Sequence, residues 1–149
     1  MLRVEVVNAV RAPVSPTRLR SLIGRSLRVP EVTARMPKDP ATLAVRLTDD
    51  SELRRLNRDF SAEDAVTDVL SFQGDGSHLG DLAISWPAVL RQAAEHGHAP
   101  DTELALLSIH GLLHLLGWDH GTARERREMS RITVAALAES ELVPAPGRL

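Results

Sequence analysis

The sequence predicts an α+β fold, one domain in which a small mixed β-sheet is packed with helices. Three observations predict it. Short segments with an apolar residue at every second position are interleaved with longer ones whose apolar residues recur every three or four. The chain of 149 residues suits one hydrophobic core, and with no internal repeat and no separating linker, residues 1–149 read as a single domain. Three of the six histidines fall together late in the chain, after every strand-like segment.

In order, Leu2 to Val7 alternates apolar and charged residues, a half-buried first strand. Pro13 and Pro16 mark a turn. Ser15 or Thr17 is placed to cap a helix running to about Leu27, with Leu19, Leu22, Ile23 and Leu27 on one face. Pro30, Pro37 and Pro40 read as an irregular connection. Thr42 to Leu47 is a second strand. Thr48 or Asp49 then caps a helix from about Ser51 to Phe60, with Leu53, Leu56 and Phe60 as its apolar stripe. Val69 to Phe72 and Leu79 to Ile84 read as strands of a hairpin closed by Gly74-Asp75-Gly76. Ser85 caps a helix with Pro87 in its first turn, which ends at Gly97. Asp101 or Thr102 opens the next helix. Thr122 caps the last, with Met129, Ile132, Ala136 and Leu137 facing inward, and Pro144 to Leu149 reads as a frayed tail.

Composition narrows the function. Hydrophobic residues make up 43% and aromatic ones 3%, ordinary and sparse respectively for a globular chain. A net charge of −2 does not suggest a strongly basic nucleic-acid-binding domain. Positive charge is almost all arginine, with Lys38 the one lysine; arginine suits bidentate phosphate contacts, although composition alone explains the bias. With no cysteine there is neither a disulfide nor a thiolate ligand, so any metal site is built from nitrogen and oxygen. Met1 to Leu22 lacks an apolar signal core, and no run approaches the roughly 18 apolar residues that span a bilayer. The expectation is a cytoplasmic protein that makes no membrane contact.

The chemistry lies in His110-Gly111-Leu112-Leu113-His114-Leu115-Leu116-Gly117-Trp118-Asp119-His120. On a helix His110 and His114 stack one turn apart on the same face. Gly117 is placed for a left-handed helix end, after which the chain reverses and brings His120 back beside them. Three imidazoles meeting in this way leave a fourth tetrahedral position for water, the pattern of a catalytic metal. An all-nitrogen set suits one Zn²⁺ per chain, with nickel or copper able to occupy the same ligands. No nucleotide cofactor is called for.

Two chemistries share this spacing. In metzincin-type proteases the residue after the first histidine is a glutamate base. Here it is Gly111, which takes no proton, so a metalloprotease remains only as an alternative. A metal of this kind also serves phosphodiester cleavage, by lowering the pKa of water toward 7 and by polarising a phosphoryl oxygen. That role needs no glutamate at position 111.

The form HGLLHLLGWDH, with glycine after the first histidine and aspartate before the third, closely resembles the YbeY-type endoribonucleases, bacterial rRNA maturation factors. The resemblance extends to Leu56-Asn57-Arg58-Asp59-Phe60, Thr67-Asp68-Val69-Leu70-Ser71-Phe72, Leu79-Gly80-Asp81-Leu82-Ala83-Ile84-Ser85, Glu103-Leu104 and Glu128-Met129, from about residue 43 to 140. It implies a sheet of about four strands with the metal-binding helix central. It implies a single-strand-specific endoribonuclease using His110, His114 and His120, acting on precursor rRNA at the 3′ end of 16S RNA and in ribosome quality control. The implied partners are RNA and the ribosome or its small subunit. The family carries an arginine after the Leu-Asn-x-x-aromatic block, facing the cleft; Ser61 stands there, and Val66 replaces the usual proline. Arg58, three residues earlier on the same helix face, is the candidate substitute for that catalytic arginine, or else an exposed helix residue like Arg54 and Arg55. The departure at Ser61 keeps a further alternative open, a non-catalytic ribosome-assembly factor stabilised by its metal.

Other residues carry two readings each. Asp119 orients a ligand imidazole or caps the turn after Gly117. Trp118, where the family usually has tyrosine, reads as packing ahead of a base-stacking platform. Asp68 and Asp81 read first as hydrogen-bonding residues at strand ends, and second as groups that shape the site or bind a water. His78, His96 and His98 stand outside the ligand set, with His96 and His98 reading as helix-end residues. Arg124, Arg126, Arg127 and Arg131 are candidates for RNA phosphates, but Glu125 and Glu128 interleave with them and point to paired surface charge.

Overall fold

The computed structural model describes residues 1–60 and 68–149. Four strands, β1 (Leu2–Asn8), β2 (Ala41–Thr48), β3 (Val69–Gln73) and β4 (His78–Ser85), form one sheet in the order β1-β2-β4-β3. β1 and β2 are parallel, as are β2 and β4, with Val45 opposite both Val6 and Leu82. β3 closes back antiparallel on β4, with Leu70 opposite Ala83, and forms one edge. This is the mixed sheet expected from the order of elements.

The helices are α1 (Pro16–Ser26), α2 (Pro30–Arg35), α3 (Asp50–Phe60), α4 (Trp86–His96), α5 (Pro100–Leu115) and α6 (Ala123–Ala138). Their caps follow local chemistry. The Ser15 hydroxyl accepts from the Arg18 amide at 3.1 Å and Ser85 from Ala88 at 3.2 Å. Asp49 accepts from Glu52 at 2.8 Å. At α6 the Thr122 hydroxyl accepts from the Glu125 amide while the Glu125 carboxylate accepts from the Thr122 amide, each at 3.1 Å, a reciprocal capping box.

α5 is the central helix. Twelve of its sixteen residues are buried, and α1, α4 and α6 pack around it while β3 and β4 lie beneath. A helix buried on all sides loses amphipathic periodicity, which is why Leu104, Leu106, Leu107, Ile109, Leu112 and Leu113 leave so little polar face. They join Leu43, Val45, Leu47, Leu82 and Ile84 of the sheet and Ile132 and Leu137 of α6 in one core. The other sheet face carries α3, whose Leu53 and Leu56 pack on Leu70, Phe72 and Ala83. So α3 and α5 lie on opposite faces of the sheet. Phe60 at the end of the α3 stripe is 63% exposed, edge-on to Phe72 at 6.1 Å.

Four expectations are corrected. Pro30 opens α2 rather than breaking the chain, because a proline at the first helical position loses no hydrogen bond and already has the required φ. For the same reason α5 begins at Pro100, ahead of Asp101. The tail is latched down instead of frayed. Arg148 Nε and Nη2 donate to the two oxygens of Glu103 at 3.1 and 2.8 Å, and the Ala145 amide donates to His98 Nδ1 at 3.0 Å. Since Nδ1 accepts, the ring proton of neutral His98 sits on Nε2, which donates to Glu103 at 2.7 Å. His98 is therefore a buried anchor and not a helix-end residue.

Candidate metal centre

The site is made by the end of α5 and the turn after it. His110 and His114 lie one helical turn apart, their ring centroids separated by 5.0 Å. At the helix end the Gly117 amide donates to His114 O and the Trp118 amide to Leu113 O, each at 3.0 Å. Gly117 has φ +97°, a left-handed conformation that glycine takes without strain. The chain then reverses, and the His120 ring returns to 4.9 Å from His114 and 6.0 Å from His110. One ligand atom from each of the three lies within 4.8 Å of the others, and all three residues are half-buried. Among the described residues no second group of three His, Asp or Glu side chains converges in this way.

The donor set fits a cation. His110 Nε2 is buried without a hydrogen-bond partner among the described residues. Burial, then the neighbouring imidazoles of His114 and His120, then the Arg148 charge push the His110 pKa down to about 3. The ring therefore stays neutral with a lone pair to give, the form a metal needs. The other histidines are engaged elsewhere. His78 contacts Thr42 Oγ1 and Asp81 through its two nitrogens, at 2.6 and 3.1 Å, and His96 Nε2 meets Gln92 at 3.2 Å.

A cavity of about 230 Å³ opens beside His110 and His120, walled by Arg126, Met129, Ser130 and Thr133 of α6 and by Arg148. Arg126 Nη1 donates to the His120 carbonyl at 3.3 Å. The glutamates interleaved with the α6 arginines do not pair with them. Glu125 is used in the capping box, and Glu128 accepts from Trp118 Nε1 at 3.2 Å. Arg131 pairs with Glu31. Among the described residues Arg124, Arg126 and Arg127 make no ion pair, contrary to the paired-charge expectation.

The remaining expected residues fall as follows. Asp119 Oδ1 accepts from the His120 amide at 2.8 Å, a bond that shapes the turn. Trp118 is a packing residue, 5% exposed. Asp68 is buried at the start of β3, and its carbonyl accepts from the Ser85 amide. Arg58 lies on α3, over the sheet face away from α5; its exposed guanidinium donates to Asp59 at 3.4 Å. Ser61 and Thr67 lie outside the described residues. Sequence reasoning missed Arg148 altogether, since an arginine next to the last residue carries no local signal of burial.

A model of the Endoribonuclease YbeY family matches residues 6–141. The Endoribonuclease YbeY of Roseiflexus castenholzii is 40% identical over 131 residues, covering 80% of this chain and 79% of that one. The Endoribonuclease YbeY of Chloroflexus aurantiacus is 46% identical over 124 residues, covering 74% and 80%. The solution structure of TM1509 from Thermotoga maritima aligns over 100% of both chains with a TM-score of 0.57. At 21% identity that likeness is one of fold.

Proposed function

Since the chain belongs to the YbeY family of endoribonucleases, we propose that it is a zinc-dependent endoribonuclease cutting single-stranded RNA during rRNA maturation. Precursor rRNA of the small subunit, including the 3′ end of 16S RNA, is its substrate in this reading, and ribosome quality control its setting. The observation that carries the proposal is the meeting of His110, His114 and His120 at the end of a buried helix, a group that among the described residues includes no carboxylate. When bound, Zn²⁺ supplies Lewis acidity toward a phosphoryl oxygen and makes water a better nucleophile at neutral pH.

The chain's own residues do the rest. Burial keeps His110 neutral and ready to ligate. The adjoining cavity receives the nucleotide next to the scissile phosphate, with the Arg126 guanidinium and the Ser130 hydroxyl at its wall. Arg58 enters as a contact to RNA running over the β3 edge, away from the histidines.

The metalloprotease alternative loses further ground at position 111. A Cβ there would stand 2.7 Å from Leu82 Cδ2 and 3.3 Å from Ser71 Oγ, on the side of α5 that packs on the sheet, so a glutamate at this position would have to displace core atoms. Incubating the protein with labelled single-stranded RNA and with casein, each with and without a chelator, tests the reading. Chelator-sensitive RNA cleavage with intact casein is expected, and His114→Ala abolishes it. Chelator-sensitive proteolysis with intact RNA would restore the peptidase. Inert RNA beside a protein that retains its cation would favour the assembly factor.

A further inference from the structure

Two of the three candidate ligands ride on a rigid, buried helix, but the third does not. His120 is reached through a turn, and its orientation is only as fixed as that turn. Freedom left in a ligand-bearing loop must be removed on binding, so whatever orders the loop beforehand raises affinity. The structure contains such a device. The Arg35 guanidinium, at the end of α2, lies 3.8 Å from the centroid of the Trp118 ring. Its Nη1 donates to the Leu116 carbonyl at 3.4 Å, one of the acceptors left open at the C-terminus of α5. The same nitrogen covers Gly117, 3.6 Å from where a Cβ would stand. On the other side, Trp118 Nε1 is held by Glu128 of α6. The Leu116–Trp118 turn is thus gripped from both flanks, two residues before His120.

We propose that Arg35 is a positioning residue for the metal centre, clamping the α5 turn through Trp118 so that His120 is held ready for the cation. It touches neither substrate nor metal. It acts by stacking on Trp118, by satisfying a helix-end carbonyl and by placing a positive charge where the helix dipole favours one. The inference rests on the metal-site reading but not on the RNA reading. Its test therefore needs no substrate.

Zinc and cobalt(II) are titrated into the metal-free full chain, parent and Arg35→Met, against a competing chelator. The cobalt absorption spectrum reports ligand geometry, and thermal unfolding of the metal-free protein checks the fold. Arg35→Met is expected to bind both ions about 10-fold or more weakly, in the range seen when residues supporting metal ligands are removed. The cobalt bands should shift, and Arg35→Lys, which restores charge and a donor, should recover part of the affinity. A folded Arg35→Met protein with parental affinity and an unchanged cobalt spectrum overturns the clamp. Should Arg35→Met fold poorly, Arg35→Gln decides, with about a fivefold loss in folded protein supporting the clamp and parental affinity overturning it. Failure of the parent to bind either ion would instead remove the metal site, a different result from unchanged variants of a parent that binds.

Discussion

A Cβ built on Gly111 falls 2.7 Å from one methyl of Leu82, 3.2 Å from the other and 3.3 Å from the Ser71 hydroxyl. The glycine lets α5 settle on β3 and β4, where Ser71 Oγ also donates to the Gly111 carbonyl at 3.3 Å. Its role between the first two histidines is thus one of close approach. Two effects compete in Gly111→Ala. Alanine raises helix propensity by about 1 kcal/mol, while overpacking a filled core typically costs ~1–3 kcal/mol. The second wins, so chemical denaturation should find the variant destabilised by about 1 kcal/mol, with Leu82→Ala showing non-additive coupling to it. At this scale the convergence of the three candidate ligand histidines is legible because their spacing is a local property. The partner of Gly111 is not, because Leu82 is brought to it only by the packing of a helix on a strand.

At the scale of elements, the segment after α6 is held by a buried ionic cluster. Burial pushes the Glu103 carboxyl up, but hydrogen bonds from Arg148 and His98 together with the Arg148 charge outweigh it, and the pKa ends below the ordinary 4.5. A carboxylate depressed in the folded state is protonated later on acidification than in the unfolded chain. Its stabilisation is therefore present above the ordinary carboxylate value and fades as pH falls through the lower folded value. Unfolding measured across that acidic window should show stability rising with pH in the parent and a shallower slope in Glu103→Gln. Arg148→Met at neutral pH leaves Glu103 buried without its principal partner, and a loss of about 3–5 kcal/mol is expected in thermal or chemical unfolding. Local rules predicted most elements here, through caps such as Ser15, Ser85 and Thr122 that act within three residues. They fail at Pro30, which opens a helix, and at the tail, whose anchor Glu103 lies 45 residues from Arg148.

For the whole molecule, a net charge of −2 conceals an uneven surface. The diversion of Glu125 into a cap and of Glu128 to Trp118 leaves Arg124, Arg126 and Arg127 without an ion pair among the described residues, with Arg126 at the wall of the histidine cavity. If RNA enters along α6, Arg124→Gln with Arg127→Gln should weaken binding of single-stranded RNA. The log–log salt slope should fall by about 0.7 for each phosphate no longer neutralised, while zinc affinity stays at the parental value. Unchanged salt dependence in filter-binding or anisotropy titrations would move the RNA path elsewhere; Arg58→Ala makes the same comparison at the β3 edge. Among the described residues no helix is long and apolar enough to cross a membrane.

What the sequence determined by itself was everything that depends on spacing along one segment. That includes the strands and most helices, their caps, the pairing of His110 with His114, and the reversal at Gly117 that returns His120. These follow from backbone geometry that repeats over a few residues. Only the tertiary structure decided which distant groups meet: Arg35 on Trp118, Arg148 and His98 on Glu103, and Leu82 beneath Gly111. Such meetings are set by how helices and sheet pack around α5, and no local pattern in the chain encodes the partner.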